Sequence, residues 1–256
     1  MARNQQNAPK GPAFEDDESV VGLLDDDRPS STPEARPWVC TNMVMSLDGA
    51  FSTDGVSGGL SSGADHQLFL ARRSLADVIL VGASTVRAEN YRRPSVTPEA
   101  ARVRAERGQD PVPRIVITSR SLSLPADVPL LGGDPPAPIM AHPADADTSK
   151  APTGVELLEV GSDGVDFAEL LRVLADRGAK DVVCEGGPGV LGQLAAEGLI
   201  DEYMITLSPQ LIGGDRVGLL SGAHPDDEDD FALHRVLRSG QHLMLTYRRG
   251  ARTGDS

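Results

Sequence analysis

Apolar positions fall along this chain in two rhythms. Short, nearly unbroken apolar runs occur at 38–46 (WVCTNMVMS), 76–82 (ADVILVG), 113–119 (PRIVITS) and 180–184 (KDVVC), and they read as strands covered on both faces, as in a parallel sheet. Between them the period lengthens. In SSGADHQLFLARRSLA, Leu68, Phe69, Arg72 and Leu75 recur at helical spacing, with Ser62 or Asp65 placed to cap the helix. In DFAELLRVLADRG, Phe167, Leu170, Leu171 and Leu174 share one face and Gly178 closes the segment. PGVLGQLAAEG reads as a further helix, PEAARVRAERG as a charged surface helix or part of a loop, and PAPIMAH and GVELLEV as weaker strands. DEYMITLSPQLIGG and QHLMLTYRR are the last two strands, and they can pair antiparallel at one edge. Strands alternating with helices predict an α/β domain with a largely parallel sheet, and no internal repeat is present.

Residues 1–36 break the pattern. They are polar, acidic and rich in proline, with only a brief VVGLL, so the expectation is a mobile acidic tail, with VVGLL able to dock on the body or a partner. The folded domain is expected over 37–250, with 251–256 again unstructured.

Composition narrows the function. A net charge of -14 over 256 residues argues against nucleic acid or an anionic membrane surface as partner, because either needs a cationic face. No apolar run is long enough to span a membrane and the start lacks the pattern of a signal peptide, so the chain reads as cytoplasmic. Cys40 and Cys184 lie in apolar runs and read as small buried hydrophobes in a reducing compartment. The five histidines show no metal-ligand spacing and read mostly as surface residues, so no metal is expected.

The segment DVVCEGGPGVLGQLAAEG places Gly187, Gly189 and Gly192 at G-x-G-x-x-G spacing. A strand entering Gly-Gly and then a helix that begins at Pro188 offers backbone N–H groups and a positive helix end to a phosphate, or is simply a tight turn. A dinucleotide-binding unit of the Rossmann type also needs an acid at the end of the next strand, and here that strand ends in Ser208-Pro209. Glu185 is unfavourable beside a phosphate unless it serves another partner, such as a ring N–H of a substrate.

SLDG at 46–49, DVILVGASTV at 77–86 and VVCEGGPGVLGQLAAEGLIDEYMITLSPQLIGG at 182–214, taken in this order, resemble the riboflavin-pathway pyrimidine reductase family, over about Trp38 to Tyr247. The resemblance implies a dihydrofolate-reductase-like three-layer fold with a mostly parallel central sheet and an antiparallel edge. It also implies NADPH as cofactor, a phosphorylated ribosylaminopyrimidine as small-molecule substrate, activity of the 5-amino-6-(5-phosphoribosylamino)uracil reductase type, and a homodimer to which YMITL contributes. The deaminase domain that often precedes the reductase is expected to be supplied elsewhere. Two other readings stay open: a reductase of dihydrofolate or another pteridine on the same fold, and a nucleotide-binding regulatory protein without chemistry.

On this resemblance Gly82, Ala83, Thr85 and Val86 meet the cofactor's phosphates, or form an ordinary turn. Thr118, Ser119 and Arg120 hold the 2′-phosphate, or form a polar turn, and Gly186, Gly187, Gly189, Val190 and Leu191 complete the cofactor side. Asp65 and Glu185 are the candidate catalytic carboxylates, accepting from a ring N–H, although Asp65 equally suits a helix cap and Glu185 a loop brace. Asn42, Asp48, Glu89, Tyr91 and Arg92 are candidates for the substrate side. One departure stands out. Where the family has an acidic pair followed by proline, this chain reads RAENYRRPS, with Asn90 in place of an acid and Tyr91 in place of proline.

Overall fold

The computed structural model describes residues 17–250 apart from 28, 30, 31, 34, 53–56, 134, 135, 215–217, 219 and 221–229. Its strands are β1 (Trp38–Ser46), β2 (Val78–Gly82), β3 (Arg114–Thr118), β4 (Ile139–His142), β5 (Glu156–Glu159), β6 (Asp181–Cys184), β7 (Glu202–Ser208), β8 (Phe231–Ser239) and β9 (His242–Arg249). The helices are α1 (Asp17–Asp26), α2 (Gly63–Leu75), α3 (Ala83–Ala88), α4 (Pro98–Glu106), α5 (Phe167–Asp176) and α6 (Pro188–Ala196).

The strands form one sheet in the order β5-β4-β3-β2-β6-β1-β7-β9-β8. From β5 to β7 every pairing is parallel, and β7–β9 and β9–β8 are antiparallel. The expected sheet, mostly parallel with an antiparallel edge, is therefore the one observed. Alternation along the strands divides it into two cores. Val78 and Leu80 pack with Phe167, Leu170, Leu171 and Leu174 of α5 and Leu191 and Leu194 of α6. Ile79 and Val81 face the opposite side with Val86 and Tyr91. On that same side a third cluster joins Cys40 to α1, α2 and α4. Helices thus cover both faces, which is why β2 and β6 carry no exposed position.

The charged segment 98–108 contains a helix after all, α4, with Pro98 in its first turn and Thr97 accepting from Ala100 N–H at 3.2 Å. Helix α3, where the sequence reading had a loop or turn, goes beyond it, and so do two further elements. The mobile tail expected over 1–36 is replaced at 17–26 by helix α1, in which Val20 and Val21 are fully buried against α2 and α4. Burial of such side chains is worth roughly 1.5–3 kcal/mol each. Acidic residues at and just past its C-terminal end find partners: Asp25 pairs with Arg107, Asp27 pairs with Arg235 at 2.6 Å, and Asp27 Oδ1 lies 2.5 Å from His234 Nε2. Residues 1–16 and 251–256 lie outside the described residues. Strand β8 is the other addition. It is an edge strand with Leu233 54% and Val236 51% exposed, so it carries little of the apolar alternation that marks a strand in sequence.

Cys40 and Cys184 are both buried and free, as read from their surroundings. His142 departs from the surface reading of the histidines: it is 3% exposed at the end of β4. No helix among the described residues is long and apolar enough to cross a membrane, and no group of candidate metal ligands occurs among them.

Candidate active site

Because β2 and β6 are neighbours, the turns that follow them abut. Gly82 N–H donates to Gly186 O at 2.7 Å. A Cβ on Gly82 would meet Val190 Cγ2 at 3.1 Å, and one on Gly187 would meet Thr85 Oγ1 at 2.9 Å, so a larger residue on either side would have to push a neighbouring side chain aside. α3 begins at Ala83 and α6 at Pro188, and neither N-cap, Gly82 or Gly187, carries a capping side chain. The N–H groups of these first turns therefore have no side-chain partner, and Gly189 opens onto free space. Two uncapped helix starts side by side, with the Ser84 and Thr85 hydroxyls at the adjoining cavity wall, suit the pyrophosphate of a dinucleotide.

Beside this cradle lies a cavity of about 530 Å³. β1 supplies Asn42 and Met43, α2 supplies Asp65, His66, Phe69 and Arg73, and the chain from α3 onward supplies Thr85, Glu89, Tyr91 and Arg92. Glu185 and Gly187 close it on the side of β6. The α2 residues follow from helix geometry, since Asp65, Phe69 and Arg73 are four apart and share a face. Ser62 is the N-cap of α2, accepting from Asp65 N–H at 3.2 Å, so the Asp65 carboxylate is not needed as a cap. That carboxylate is 6% exposed, faces the cavity and accepts from Ser61 Oγ at 2.5 Å.

Glu185 is the second buried carboxylate of the cavity. Tyr91 OH donates to its Oε2, and Arg73 Nε stands 3.0 Å from its Oε1. The latter contact is an ion pair poorly aligned for a hydrogen bond, which leaves both Arg73 Nε and Glu185 Oε1 without a hydrogen-bond partner. Burial pushes the Glu185 carboxyl up from 4.5 to about 7, and the Arg73 charge pulls partly against it. Arg73 is itself fixed, its guanidinium lying 5.1 Å from the Phe69 ring centre and 5.0 Å from that of Tyr91. On β1, Asn42 Nδ2 is buried without an acceptor. Residues that line the cavity thus carry buried acceptor and donor atoms without hydrogen bonds, which a polar heterocycle could satisfy.

The structure brings Asn42, Asp65, Thr85, Glu89, Tyr91, Arg92, Glu185 and Gly187 to one cavity, with Gly82, Ala83, Gly186, Gly189 and Val190 in the adjoining cradle. Glu89 accepts from Ser57 N–H at 3.0 Å and so ties the cavity's rim together. The Arg92 guanidinium makes no ion pair among the described residues. Val86 and Leu191 are fully buried and back the cradle from the core instead of facing a ligand. Thr118 sits beside Gly82 in the sheet, which places Thr118, Ser119 and Arg120 next to the cradle and outside the cavity wall. Arg120 is exposed and pairs with Asp163 at 3.0 Å and Asp145 at 3.6 Å. Asp48 lies elsewhere. It accepts from Ser46 Oγ at 2.5 Å and Gly213 N–H at 2.8 Å, a brace between two loops. The sequence reading missed Ser61, His66, Phe69 and Arg73; the i, i+4, i+8 stripe from Asp65 was the signal for the last two.

A parallel sheet ending in two abutting glycine turns beside a carboxylate-lined cavity places the protein among the dihydrofolate-reductase-like α/β proteins. Residues 37–245 match the RibD C-terminal domain, and the chain belongs to that family. It is 29% identical over 218 residues to a 2,5-diamino-6-ribosylamino-4(3H)-pyrimidinone 5′-phosphate reductase of Methanothermobacter thermautotrophicus, covering 83% of this chain and 98% of that one. A protein of the same name from Aquifex aeolicus is 31% identical over 218 residues, covering 80% of this chain and 91% of that one. Among solved structures, a pyrimidine reductase-like protein from Corynebacterium diphtheriae superposes with a TM-score of 0.78 at 23% identity, covering 91% of this chain and 99% of that chain, and shares the fold.

Proposed function

We propose that the chain is an NADPH-dependent reductase of a phosphorylated ribosylaminopyrimidine, converting the ribosylamino group to a ribitylamino group in riboflavin biosynthesis. The observation that carries this reading is Glu185, a buried carboxylate with one oxygen that makes no hydrogen bond, set between a heterocycle-sized cavity and the glycine cradle. The names of the two relatives give the substrate class. Both are named for the diamino compound, so that compound, in place of the uracil derivative, is the preferred substrate in this proposal.

The cradle of Gly82, Thr85, Gly187 and Gly189 would hold the pyrophosphate of NADPH, and the dinucleotide supplies the hydride when bound. Arg120 would take the 2′-phosphate; its present acid partners are exposed, so exchanging them for a phosphate costs little. Glu185 and Asp65 accept ring and exocyclic N–H groups, and Asn42 Nδ2 donates to a ring oxygen. Arg92, at the cavity wall and without an ion pair among the described residues, receives the substrate phosphate. The walls of Met43 and Phe69 exclude water from the reacting face.

The two substrates and dihydrofolate, each supplied with NADPH to the same purified protein, test this by loss of the reduced-nicotinamide absorbance. The reading expects turnover of the diamino compound. Turnover of dihydrofolate alone would overturn it, and NADPH binding without turnover of any of the three would favour a regulatory protein. A homodimer is also proposed. β7 is paired on both sides, so YMITL has no free edge, and the exposed Leu233 and Val236 of edge strand β8 are the better contact. Sedimentation velocity of the protein and of a Val236→Lys variant checks it.

A further inference from the structure

Tyr91 follows α3, and its surroundings give it little freedom. It is 7% exposed and packs with Val86 and Leu130. Its backbone is tied at both ends: Tyr91 N–H donates to Val86 O at 3.2 Å, and Leu130 N–H donates to Tyr91 O at 3.1 Å. From this fixed base its hydroxyl reaches Glu185 Oε2. On the other side Arg73, held between the Phe69 and Tyr91 rings and donating to Arg92 O at 3.4 Å, faces Oε1 without satisfying it.

We propose that Tyr91 is a positioning residue, whose hydroxyl fixes the Glu185 carboxylate through Oε2 and leaves Oε1, which makes no hydrogen bond, as the oxygen to accept a substrate N–H. This rests on the reading that Glu185 receives the heterocycle. A carboxylate can grip two parallel N–H groups, one on each oxygen, and a phenol that already occupies one lone pair of Oε2 and fixes its orientation disfavours that bidentate grip relative to a single N–H on Oε1. Tyr91 therefore narrows which face of a polyamino heterocycle the site accepts. A phenol donating to a carboxylate also favours its charged form, acting with Arg73 and against burial. Arg73 and Tyr91 touch Glu185, the buried Cys184 thiol precedes it in the chain, and the other charged and titratable groups lining the same cavity are Asp65 and His66 from α2 and Glu89 and Arg92 from the segment after α3.

Tyr91→Phe keeps the ring that supports Arg73 and removes only the donor. The experiment is an infrared titration of the ligand-free protein, with the protonated Glu185 carboxyl stretch assigned as the band absent from Glu185→Gln. Wild type and Tyr91→Phe are compared, and kcat/KM is measured for both single variants and the double variant. The midpoint is expected to rise by about one pH unit in Tyr91→Phe, a tenfold change in proton affinity. The activity loss from Tyr91→Phe is expected to vanish in the Glu185→Gln background, as befits a residue acting through Glu185. Coincident midpoints would overturn the proposal, as would an equal loss in both backgrounds. Because the titration needs no substrate, a shifted midpoint in a protein that reduces no pyrimidine would leave Tyr91's role standing while the functional reading failed.

Discussion

The two ends of strand β6 carry the same chemistry arranged to opposite effect. At its start Asp181 meets Arg72 through two hydrogen bonds, at 3.0 Å and 2.5 Å, and both side chains are buried. Just past its end Glu185 meets Arg73, the next residue of the same helix, through one misaligned contact at 3.0 Å. The first pair is matched and closed. The second is left short of partners, and it borders the cavity. One helix and one strand thus supply a pair that holds the fold and a pair with capacity left for a ligand, and the number of satisfied hydrogen bonds separates them.

The largest expected effect comes from breaking the closed pair. Asp181→Asn strands the buried Arg72 charge and should cost about 3–5 kcal/mol in denaturant unfolding, with little change in kcat/KM while the protein remains folded. The open pair should instead appear in the pH dependence of stability. Glu185 titrates near 7 in the folded protein against an ordinary 4.5, so the folded state holds this proton more tightly than the unfolded chain does. Its contribution is full below 4.5 and is lost as pH rises through about 7, on the order of 3 kcal/mol in all. Unfolding curves across that range should show this slope in wild type and lack it in Glu185→Gln. A smaller effect is expected at the cradle. Gly187→Ala puts a methyl group 2.9 Å from Thr85 Oγ1, which should cost about 1 kcal/mol and weaken NADPH binding about tenfold in a fluorescence titration.

Much of this frame was legible in the chain because burial on both faces writes itself as unbroken apolar runs. β1, β2, β3 and β6 are such runs, and the turns after β2 and β6 announce themselves by glycine. The docking of VVGLL was among the expectations, but the helix α1 around it and the half-exposed edge strand β8 were not legible, since each owes its order to tertiary contacts such as the pair between Asp27 and Arg235. Of the site, Glu185 was visible as a carboxylate out of place beside a phosphate loop, and Asp65 as a carboxylate at a helix start. Arg73 was not, because nothing in sequence distinguishes it from Arg72; only the fold sends one to Asp181 and the other to Glu185. Asp48 shows the reverse case, a residue in a recognisable motif whose carboxylate the fold spends on loop N–H groups.

The measurement that bears most directly on the account is kcat/KM of Glu185→Gln with NADPH and the diamino substrate, taken beside wild type and Asp181→Asn under conditions where all three are folded. Glu185→Gln should lose roughly a hundredfold or more, while Asp181→Asn stays near wild type. Wild-type turnover by Glu185→Gln, with the loss falling on Asp181→Asn instead, would contradict the assignment of the open pair to the chemistry.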